Sequence, residues 1–534
     1  MRKGIEGTTG LAGAASRAGL EPSGACPGRL RMLAIVAAVL VGLPAVAGAA
    51  VPGRLGTNLG AVTYYDGIVQ FADLVQQAGD WVPNQDGAPW GGGPALRLRR
   101  DGWPSRLSAG QVATTVLAEV RYPAGAYAVA WSGRGTFDVN GKVFSSTGAS
   151  GGSGTVDLDG QSIVLLNLRS TDASDPLRAI KVVVPGEATT AVFRGAWLAT
   201  LAPYGAVRFM DWQRTNSAPW EPRRTTFTCG KRVLPNFYSQ GTSAGVSVER
   251  MVELANLLGV DPWFNVPHEA ASNWLRCHAK VVAASLSPGL VARYEFSNET
   301  WNPGFRAFHD LSAEGERMGL GGGDSYLGLQ RRTGQRHAKA MRIVAKEFAR
   351  VGRPVVRVLA GQAANAWVLE QRLLAPGAAE ATDEIAIAPY LGIPDANPFD
   401  PAEAGALSTL TVTQVLARMA TAQSSEVDAW TASHVALAAD FGKVLVAYEG
   451  GQHLAGDSSN DALTDLFVAT NRSAGMGDAY RTYLAHWRDA TGNALFMHFT
   501  DVGPFTQWGS WGALEFPEQG TSPKYDELVR FAAG

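Results

Sequence analysis

Eight short and mostly apolar segments recur along this chain, and helical segments separate several of them. By sequence pattern alone, they span residues 56–62, 206–212, 261–268, 291–299, 354–361, 384–390, 443–449 and 493–501. Strands that alternate with helices favour a parallel sheet. A closed (β/α)8 barrel requires eight such units, whereas a doubly wound open sheet, the alternative, requires no fixed number. The count therefore predicts an α/β fold of the (β/α)8 TIM barrel class.

The segment between the first and second of these strands has a different periodicity. Over residues 96–195 apolar and polar side chains alternate with period two, and no helical run interrupts them. Asn140-Gly141 stands where a tight hairpin turn is expected. The pattern predicts an antiparallel β-sandwich inserted into the barrel, and such a module is a candidate for carbohydrate binding. Its residues Trp103 and Trp131 are core residues in the alternative interpretation.

The insertion divides the barrel into two stretches of sequence. Ile68, Phe71, Ala72 and Val75 recur at i, i+3, i+4 and i+7, and this spacing predicts a helix after the first strand. The predicted domains are therefore a first barrel strand and helix over residues 50–95, the inserted sandwich over residues 96–195, and the remainder of the barrel over residues 196–534.

Residues 1–49 have the features of a secretory signal peptide. Arg29 and Arg31 precede an apolar run over residues 32–43, and small residues follow it. A membrane anchor is the alternative, but the apolar run of about twelve residues is shorter than the ~20 that a spanning helix needs. Met32 is a second candidate start of translation. We therefore expect a secreted or periplasmic protein that has no membrane attachment once the signal is cleaved.

Cys229 and Cys277 are the two cysteines outside this leader. In an oxidising compartment they could form a disulfide, and two separate buried thiols are the alternative. They follow the second and third predicted strands, whose loops are neighbours on one rim of a barrel. We therefore predict that their Cα atoms lie within the ~7 Å that a disulfide can span.

Composition and motifs exclude several functional classes. The net charge of −2 gives no basic field for nucleic acid. The eight histidines include no pair at i, i+4 spacing beside a carboxylate, so no metal site is expected. No phosphate-binding, dinucleotide-binding or G-x-S-x-G motif occurs in the sequence, so we expect no cofactor and no esterase triad.

Two glutamates directly follow apolar strands. Glu299 closes the fourth predicted strand and Glu449 closes the seventh. Cleavage of a glycosidic bond with retention needs one carboxyl group to protonate the leaving oxygen and a second, ~5–5.5 Å away, to attack the anomeric carbon. The carboxyl ends of barrel strands share one rim, so both groups could reach one substrate. For each glutamate alone, a solvated loop acid is the alternative.

The Asn298-Glu299 pair after the fourth strand and the lone Glu449 after the seventh resemble clan A of the glycoside hydrolases, the "4/7" barrels. The resemblance covers residues 54–90 and 196–515 and does not identify an individual family. It implies that Glu299 is the acid/base and that Glu449 is the nucleophile. It also implies that Asn298 holds the sugar 2-hydroxyl through a hydrogen bond that strengthens in the transition state.

The resemblance implies further residues around the substrate. Arg208 on the second strand would steady the charge of the nucleophile, with Arg214 as the alternative, and Tyr390 after the sixth strand would contact the nucleophile. A tryptophan after the eighth strand, Trp508 or Trp511, would lie under the sugar. The residues expected to bind substrate are Asn298, Arg208, His268, Tyr390, Trp301, Trp508 and Trp511.

The leading hypothesis is an exported retaining glycoside hydrolase that cleaves β-glycosidic bonds of a polysaccharide or oligosaccharide by double displacement. The alternative is a non-catalytic extracellular protein that binds a cellulose-like glycan on the same scaffold. The two glutamates and Asn298 favour the enzyme, because binding alone requires no paired acids. We expect the charge of Glu449 to keep Glu299 protonated near neutral pH. We also expect Trp301 and Tyr294 to desolvate that carboxyl group.

Overall fold

The computed structural model describes residues 53–394 and 396–534. The predicted signal peptide, residues 1–49, lies outside the described residues. Across the part of the chain that the structure describes, no helix combines the length and the apolar character needed to cross a bilayer.

Eight parallel strands form a closed barrel, in which each strand pairs with the next and the first pairs with the eighth. In chain order, from the first to the eighth barrel strand, they span Leu55–Asn58, Ala206–Arg208, Asp261–Val266, Ala292–Phe296, Val355–Ala360, Glu384–Ile387, Val444–Ala447 and Phe496–His498. Each strand overlaps one of the eight segments identified from the sequence. The predicted (β/α)8 barrel is therefore confirmed.

Alternation along the strands separates the interior of the barrel from its outer layer. Ala206, Trp263 and Tyr448 belong to a buried cluster of side chains that point inward. Phe264 and Tyr294 point outward and pack with the surrounding helices in the main core. Because adjacent residues of a strand face opposite sides, the position of a residue along the strand decides whether its side chain points into the barrel.

Helices surround the barrel strands. They span Gly195–Thr200, Val248–Leu258, Ser272–Ser285, Arg306–Arg317, Ser325–Ala349, Ala366–Leu373, Pro401–Leu407, Val412–Ala422, Asp428–Asp440, Asp461–Arg472, Ala474–Thr491 and Pro523–Ala533, with a π turn over Gln423–Val427. The helix after the second barrel strand shows why these segments are helical. Its residues Met251, Leu254 and Ala255 recur at helical spacing and are buried, and Gly259 ends it in the left-handed conformation with φ 68°.

Two antiparallel sheets lie between the first and second barrel strands. The larger sheet has the spatial order Val82–Gln85, Gln111–Ala118, Val164–Thr171, Gly135–Val139 and Lys142–Ser146. The smaller sheet has the order Arg178–Val183, Gly125–Ser132 and Gly152–Leu158. A separate hairpin pairs Arg97–Leu98 with Pro104–Arg106. This arrangement is the sandwich-like part of the predicted fold class.

The interior of the sandwich is apolar, as its period-two sequence requires. Tyr127, Phe137 and Leu166 are buried in its core, and Trp103 belongs to the same cluster. Trp131 packs at the edge of that core, with its ring centroid 5.2 Å from that of Phe137. Trp103 is therefore a core residue, and Trp131 is a partly buried residue packed against the core. They give no support to a glycan-binding face on this module.

The hairpin turn in the sandwich has the predicted position. Asn140 and Gly141 join the strands Gly135–Val139 and Lys142–Ser146, and both have positive φ, 47° and 80°. A two-residue turn of this kind matches the right-handed twist of the flanking strands, and it favours asparagine and glycine for their tolerance of positive φ.

The prediction of a helix after the first barrel strand is wrong. The chain there is irregular, with bends, a single 3-10 turn at Leu74–Gln77 and an isolated bridge from Phe71 to Phe193. Ile68 and Phe71 pack into the barrel core, whereas Val75 packs into the sandwich core. Burial against two cores on opposite sides produces the same spacing of apolar residues as a one-sided helix.

The antiparallel sheet begins earlier than the predicted boundary at residue 96. The strand Val82–Gln85 pairs with Gln111–Ala118, so it belongs to the larger sheet of the sandwich. Its sequence contains Pro83, which is tolerated because the strand lies at the edge of that sheet. Such a short, polar edge strand carries little periodic signal.

A disulfide joins Cys229 and Cys277 across a Cα–Cα distance of 5.8 Å. It connects the loop after the second barrel strand with the helix Ser272–Ser285, which follows the third. The predicted proximity of the two cysteines is confirmed.

Candidate active site

Glu299 and Glu449 lie in loops that follow the fourth and seventh barrel strands, on the rim formed by the carboxyl ends of the strands. Glu449 is 4% exposed and Glu299 is half-buried. Ser297 and Glu299 both have positive φ, 62° and 38°, which is unusual for residues other than glycine. Strained backbone of this kind persists where the surrounding structure holds it, commonly at functional sites.

Both oxygens of Glu449 accept hydrogen bonds. Nη1 of Arg208 donates to Oε1 at 2.7 Å, and the hydroxyl of Tyr390 donates to Oε2 at 3.0 Å. Arg208 comes from the second barrel strand, is completely buried, and also donates from Nη1 to Oδ1 of Asn58 at 2.8 Å. The charge of a guanidinium and a hydroxyl donor both favour the ionised form of this carboxyl group.

The carboxyl group of Glu299 has neutral partners. Nδ2 of Asn302 donates to Oε2 at 3.0 Å, and the hydroxyl of Tyr448 lies 3.3 Å from Oε1. Tyr448 directly precedes Glu449 in the sequence, so one short segment of chain contributes to both carboxyl sites. Among the described residues, no cation forms an ion pair with Glu299.

The two environments give the two carboxyl groups different affinities for a proton. Burial, and next the negative charge of Glu449, raise the pKa of Glu299 to about 7. Burial also raises the pKa of Glu449, but Arg208 and then Tyr390 oppose that rise. The contacts of Glu449 therefore favour its ionised form, whereas burial and the neighbouring negative charge favour the protonated form of Glu299.

Tyr294 does not contribute to this desolvation, contrary to the prediction from the sequence. Its hydroxyl lies 2.9 Å from Nδ1 of His278, and its ring packs against Phe264 in the outer layer. The alternation of the fourth strand places Tyr294 and Glu295 on opposite faces, so it is Glu295 that points into the barrel. Trp301 is half-buried two residues after Glu299.

Asn298 lies within the same network as Glu449. Its Oδ1 accepts a hydrogen bond from Nη2 of Arg208 at 2.9 Å, and its Nδ2 contacts Oδ1 of Asn216 at 3.4 Å. The structure thus brings together Asn298, Arg208 and Tyr390 around Glu449. Arg214, the alternative to Arg208, donates instead to the backbone carbonyl groups of Val62 and Gly241.

His268 follows the third barrel strand, but its contacts lead away from the two glutamates. Its Nε2 lies 3.0 Å from Oδ2 of Asp310, and burial lowers its pKa. The ligand atoms of His268, Glu269 and Asp310 lie within 4.8 Å of one another, a spacing compatible with a metal ion. Arg223 forms ion pairs with Glu269 and Asp310, so an ion-pair network accounts for the cluster.

Of the two tryptophans expected under the sugar, Trp511 lies against the site. Its ring centroid is 6.0 Å from that of Tyr390 and 5.1 Å from that of His453. Its Nε1 donates to the backbone carbonyl of Trp508 at 2.9 Å. Trp508 itself is 43% exposed. Trp511 therefore lies beside Tyr390, whose hydroxyl donates to Glu449, and Trp508 is more exposed.

Sequence reasoning missed Glu295, a glutamate buried inside the barrel beside Arg208. Glu295 is fully buried, and its Oε2 accepts hydrogen bonds from Nε and Nη2 of Arg208 at 3.1 and 2.9 Å. Trp263 and Asn265 each donate to the same oxygen at 3.0 Å. The signal was present in the fourth strand, because Arg293 and Glu295 place charges at alternate positions of a segment that is otherwise apolar.

No protein-family model matches this chain, and no curated protein matches it. The 4-O-alpha-L-rhamnosyl-beta-D-glucuronidase from Fusarium oxysporum 12S is 12% identical, with a TM-score of 0.37 over 63% of this chain and 63% of that chain. Bacteroides uniformis beta-glucuronidase 2 is 8% identical, with a TM-score of 0.31 over 77% of this chain and 46% of that chain. A modular endo-beta-1,4-mannanase from Cellulomonas fimi is 11% identical, with a TM-score of 0.32 over 62% of each chain.

This chain therefore spans less than two thirds of the length of each of these three proteins. Structures similar to this chain include glycoside hydrolases with a parallel eight-stranded barrel. At these identities the likeness is one of fold alone.

Proposed function

We propose that this protein is a retaining glycoside hydrolase that cleaves β-glycosidic bonds of a polysaccharide or oligosaccharide by double displacement. The observation that carries the proposal is the contrast between two carboxyl groups on one rim of the barrel. Glu449 accepts a hydrogen bond from the cationic Arg208, whereas Glu299 accepts one from the neutral amide of Asn302. Two carboxyl groups with such different environments match the roles of nucleophile and acid.

In the first step Glu299 gives its proton to the leaving oxygen. A carboxylate oxygen of Glu449 forms a bond to the anomeric carbon as the bond from that carbon to the leaving oxygen breaks. The product is a glycosyl ester of Glu449, and the released alcohol carries the proton from Glu299.

In the second step water replaces Glu449 at the anomeric carbon. Once Glu449 is an ester its negative charge is gone, so one of the two causes that raise the pKa of Glu299 is removed. Glu299 then accepts a proton from the attacking water, and the bond between the anomeric carbon and Glu449 breaks. The two displacements return the original anomeric configuration.

Asn298 contributes to transition-state stabilisation in this proposal. Arg208 donates a hydrogen bond to Oδ1 of Asn298, which fixes the orientation of the amide. Nδ2 is then the group of Asn298 that can donate to a ligand. The contact of Nδ2 with Asn216 is long, at 3.4 Å, so an N–H can turn to a sugar 2-hydroxyl. A hydrogen bond at that hydroxyl strengthens as the sugar ring gains positive charge.

We also propose that the protein is exported, either secreted or periplasmic. The charged and apolar pattern of residues 1–49 supports this, as does the disulfide between Cys229 and Cys277. Disulfides form and persist in oxidising compartments and are rare in the cytosol.

A substrate panel with matched variants tests the catalytic proposal. Purified protein is assayed on aryl β-glycosides of several sugars and, by release of reducing ends, on β-linked polysaccharides. Glu449→Gln should lower kcat/KM by at least about a thousandfold, because the nucleophile is lost. Glu316→Gln, an exposed glutamate on the helix Arg306–Arg317, should keep full activity. Binding of a glycan without turnover by the wild-type protein would support the alternative, a non-catalytic carbohydrate-binding protein.

A further inference from the structure

Glu295 is a completely buried carboxylate to which the proposed mechanism gives no role. Four hydrogen bonds converge on its Oε2, two of them from Arg208 and one each from Trp263 and Asn265. It lies inside the barrel, and no solvent reaches it. A buried charge of this kind is costly unless it is paired, and Arg208 opposes the rise that burial causes in the pKa of Glu295.

That partner, Arg208, is shared between two carboxylates. Its Nε and Nη2 donate hydrogen bonds to Glu295, and its Nη1 donates to Oε1 of Glu449 at 2.7 Å. Arg208 is itself 0% exposed. One buried guanidinium therefore balances the charges of both the proposed nucleophile and a second glutamate that the substrate cannot reach.

The charge around Arg208 changes during the proposed reaction. Before the first step the guanidinium faces two carboxylates. After that step Glu449 is a neutral ester, and the proton that left Glu299 is on the released alcohol. Glu299 then carries the negative charge that Glu449 has lost, but it acts on Arg208 without direct contact. Glu295 is the one carboxylate that still forms an ion pair with Arg208. Without Glu295 the ester would leave that cation with no carboxylate in direct contact, which is unfavourable in the barrel interior.

We propose, on the basis of the proposed function, that Glu295 is a positioning residue that keeps Arg208 paired throughout the catalytic cycle. By sharing the guanidinium it weakens the hold of Arg208 on Glu449, so that the carboxylate remains nucleophilic. By remaining ionised it stabilises the state in which Glu449 is esterified. Glu295 itself neither gains nor loses a proton in either step.

Glu295→Gln separates this role from simple support of the fold, because the two half-reactions should respond in opposite directions. Formation of the ester should slow for two reasons. In this variant the Glu449 carboxylate is the only one that contacts Arg208, so it is stabilised more strongly, and its conversion to an ester leaves Arg208 without a contacting carboxylate. Hydrolysis of the ester should accelerate, since it regenerates the carboxylate beside an unpaired cation. General damage to the site would slow both steps.

The experiment uses a 2,4-dinitrophenyl 2-deoxy-2-fluoro-β-glycoside of the sugar that the wild-type enzyme cleaves fastest. Mass spectrometry follows formation of the ester, and recovery of activity after removal of excess reagent follows its hydrolysis. We expect Glu295→Gln to form the ester at least about tenfold more slowly and to recover at least about threefold faster than wild type. Trp263→Phe, which removes one donor to Oε2 but keeps the charge, should not recover faster.

Each result decides between the explanations. Recovery of Glu295→Gln at the wild-type rate or slower overturns the role of Glu295 and leaves the proposed function intact. Failure of the wild-type enzyme to form any ester overturns the proposed function and this inference with it. If Glu295→Gln does not fold, Glu295→Asp is measured instead, because its shorter side chain holds Arg208 less firmly. It should shift both rates in the same two directions, and slowing of both would overturn the proposal.

Discussion

Glu299 and Glu449 are distinguished by their partners, and the distinction can be measured on Glu299. Glu299→Ala removes the proton donor, so leaving groups that need protonation should suffer most. We expect kcat/KM to fall by roughly 10²–10⁴ on glycosides with poor leaving groups. On dinitrophenyl glycosides the first step should change by less than about tenfold, since that leaving group departs without a proton. Equal losses on both classes of substrate would contradict the assignment of Glu299 as acid.

The pH dependence follows from the raised pKa of Glu299. The first step requires Glu299 to be protonated, so kcat/KM should fall as the pH rises through about 7, the pKa of that group. Tyr448→Phe removes a hydrogen bond that lowers this pKa. The basic limb of the pH profile should therefore move to higher pH, by roughly half a unit or more.

Tyr294→Phe is the matched control for that measurement, because Tyr294 is equally buried but lies on the outer face of the fourth strand. Its pH profile should coincide with that of the wild-type enzyme. A shift of the basic limb in Tyr294→Phe, or a shift to lower pH in Tyr448→Phe, would show that Glu299 does not set this limb.

The sequence identifies residues that stand at strand ends more readily than residues inside the barrel. Glu299 and Glu449 can be found because each directly follows an apolar strand. The sequence favoured Arg208 but left Arg214 as the alternative, because it does not show that the strand ends at Arg208 and that Arg214 lies in a turn with a φ of 50°. Glu295 was missed because a charge inside an apolar strand has meaning only once its partner is known.

At the scale of elements, strand counting predicted the barrel because each strand is short, apolar and set apart by helices. For the segment from Ile68 to Val75, periodicity led to the wrong prediction of a helix. Its apolar residues are buried by two different cores, and periodicity in a sequence cannot reveal how many cores a segment contacts. The edge strand Val82–Gln85 lacked any apolar alternation, so it could not be recognised.

The disulfide between Cys229 and Cys277 ties two elements of the barrel together, and its contribution to stability can be measured. It closes a loop with a sequence separation of 48 residues, which restricts the unfolded chain. We expect the double variant Cys229→Ser/Cys277→Ser to lose about 2–4 kcal/mol of unfolding free energy in urea denaturation. Reductant should lower the stability of the wild-type protein and leave the double variant unchanged. Equal stability of the two proteins would contradict the prediction.

At the scale of the whole molecule, the sandwich and the barrel share a buried contact. Tyr238, from the loop after the second barrel strand, lies in the sandwich core, with its ring centroid 5.1 Å from that of Trp81. Its hydroxyl donates to the backbone carbonyl of Gly79 at 2.8 Å. The sequence predicted both units, but this contact involves residues far apart in the chain that follow no shared pattern.

Because of this contact, we expect the two units to unfold in one calorimetric transition. Tyr238→Ala should lower the free energy of unfolding by about 3–5 kcal/mol, the usual cost of removing a large buried ring. Tyr65→Ala, at a tyrosine that is 38% exposed, should cost less than about 1 kcal/mol. Two separate transitions in the wild-type protein would contradict the coupling.

The stereochemistry of the first product tests the central claim most directly. Proton NMR records the anomeric signals during the first minutes of cleavage of an aryl β-glycoside, before mutarotation mixes the anomers. A double displacement through Glu449 predicts that the β-anomer appears first and the α-anomer only later. Initial appearance of the α-anomer would show a single inverting displacement, and it would contradict the assignment of Glu449 as nucleophile.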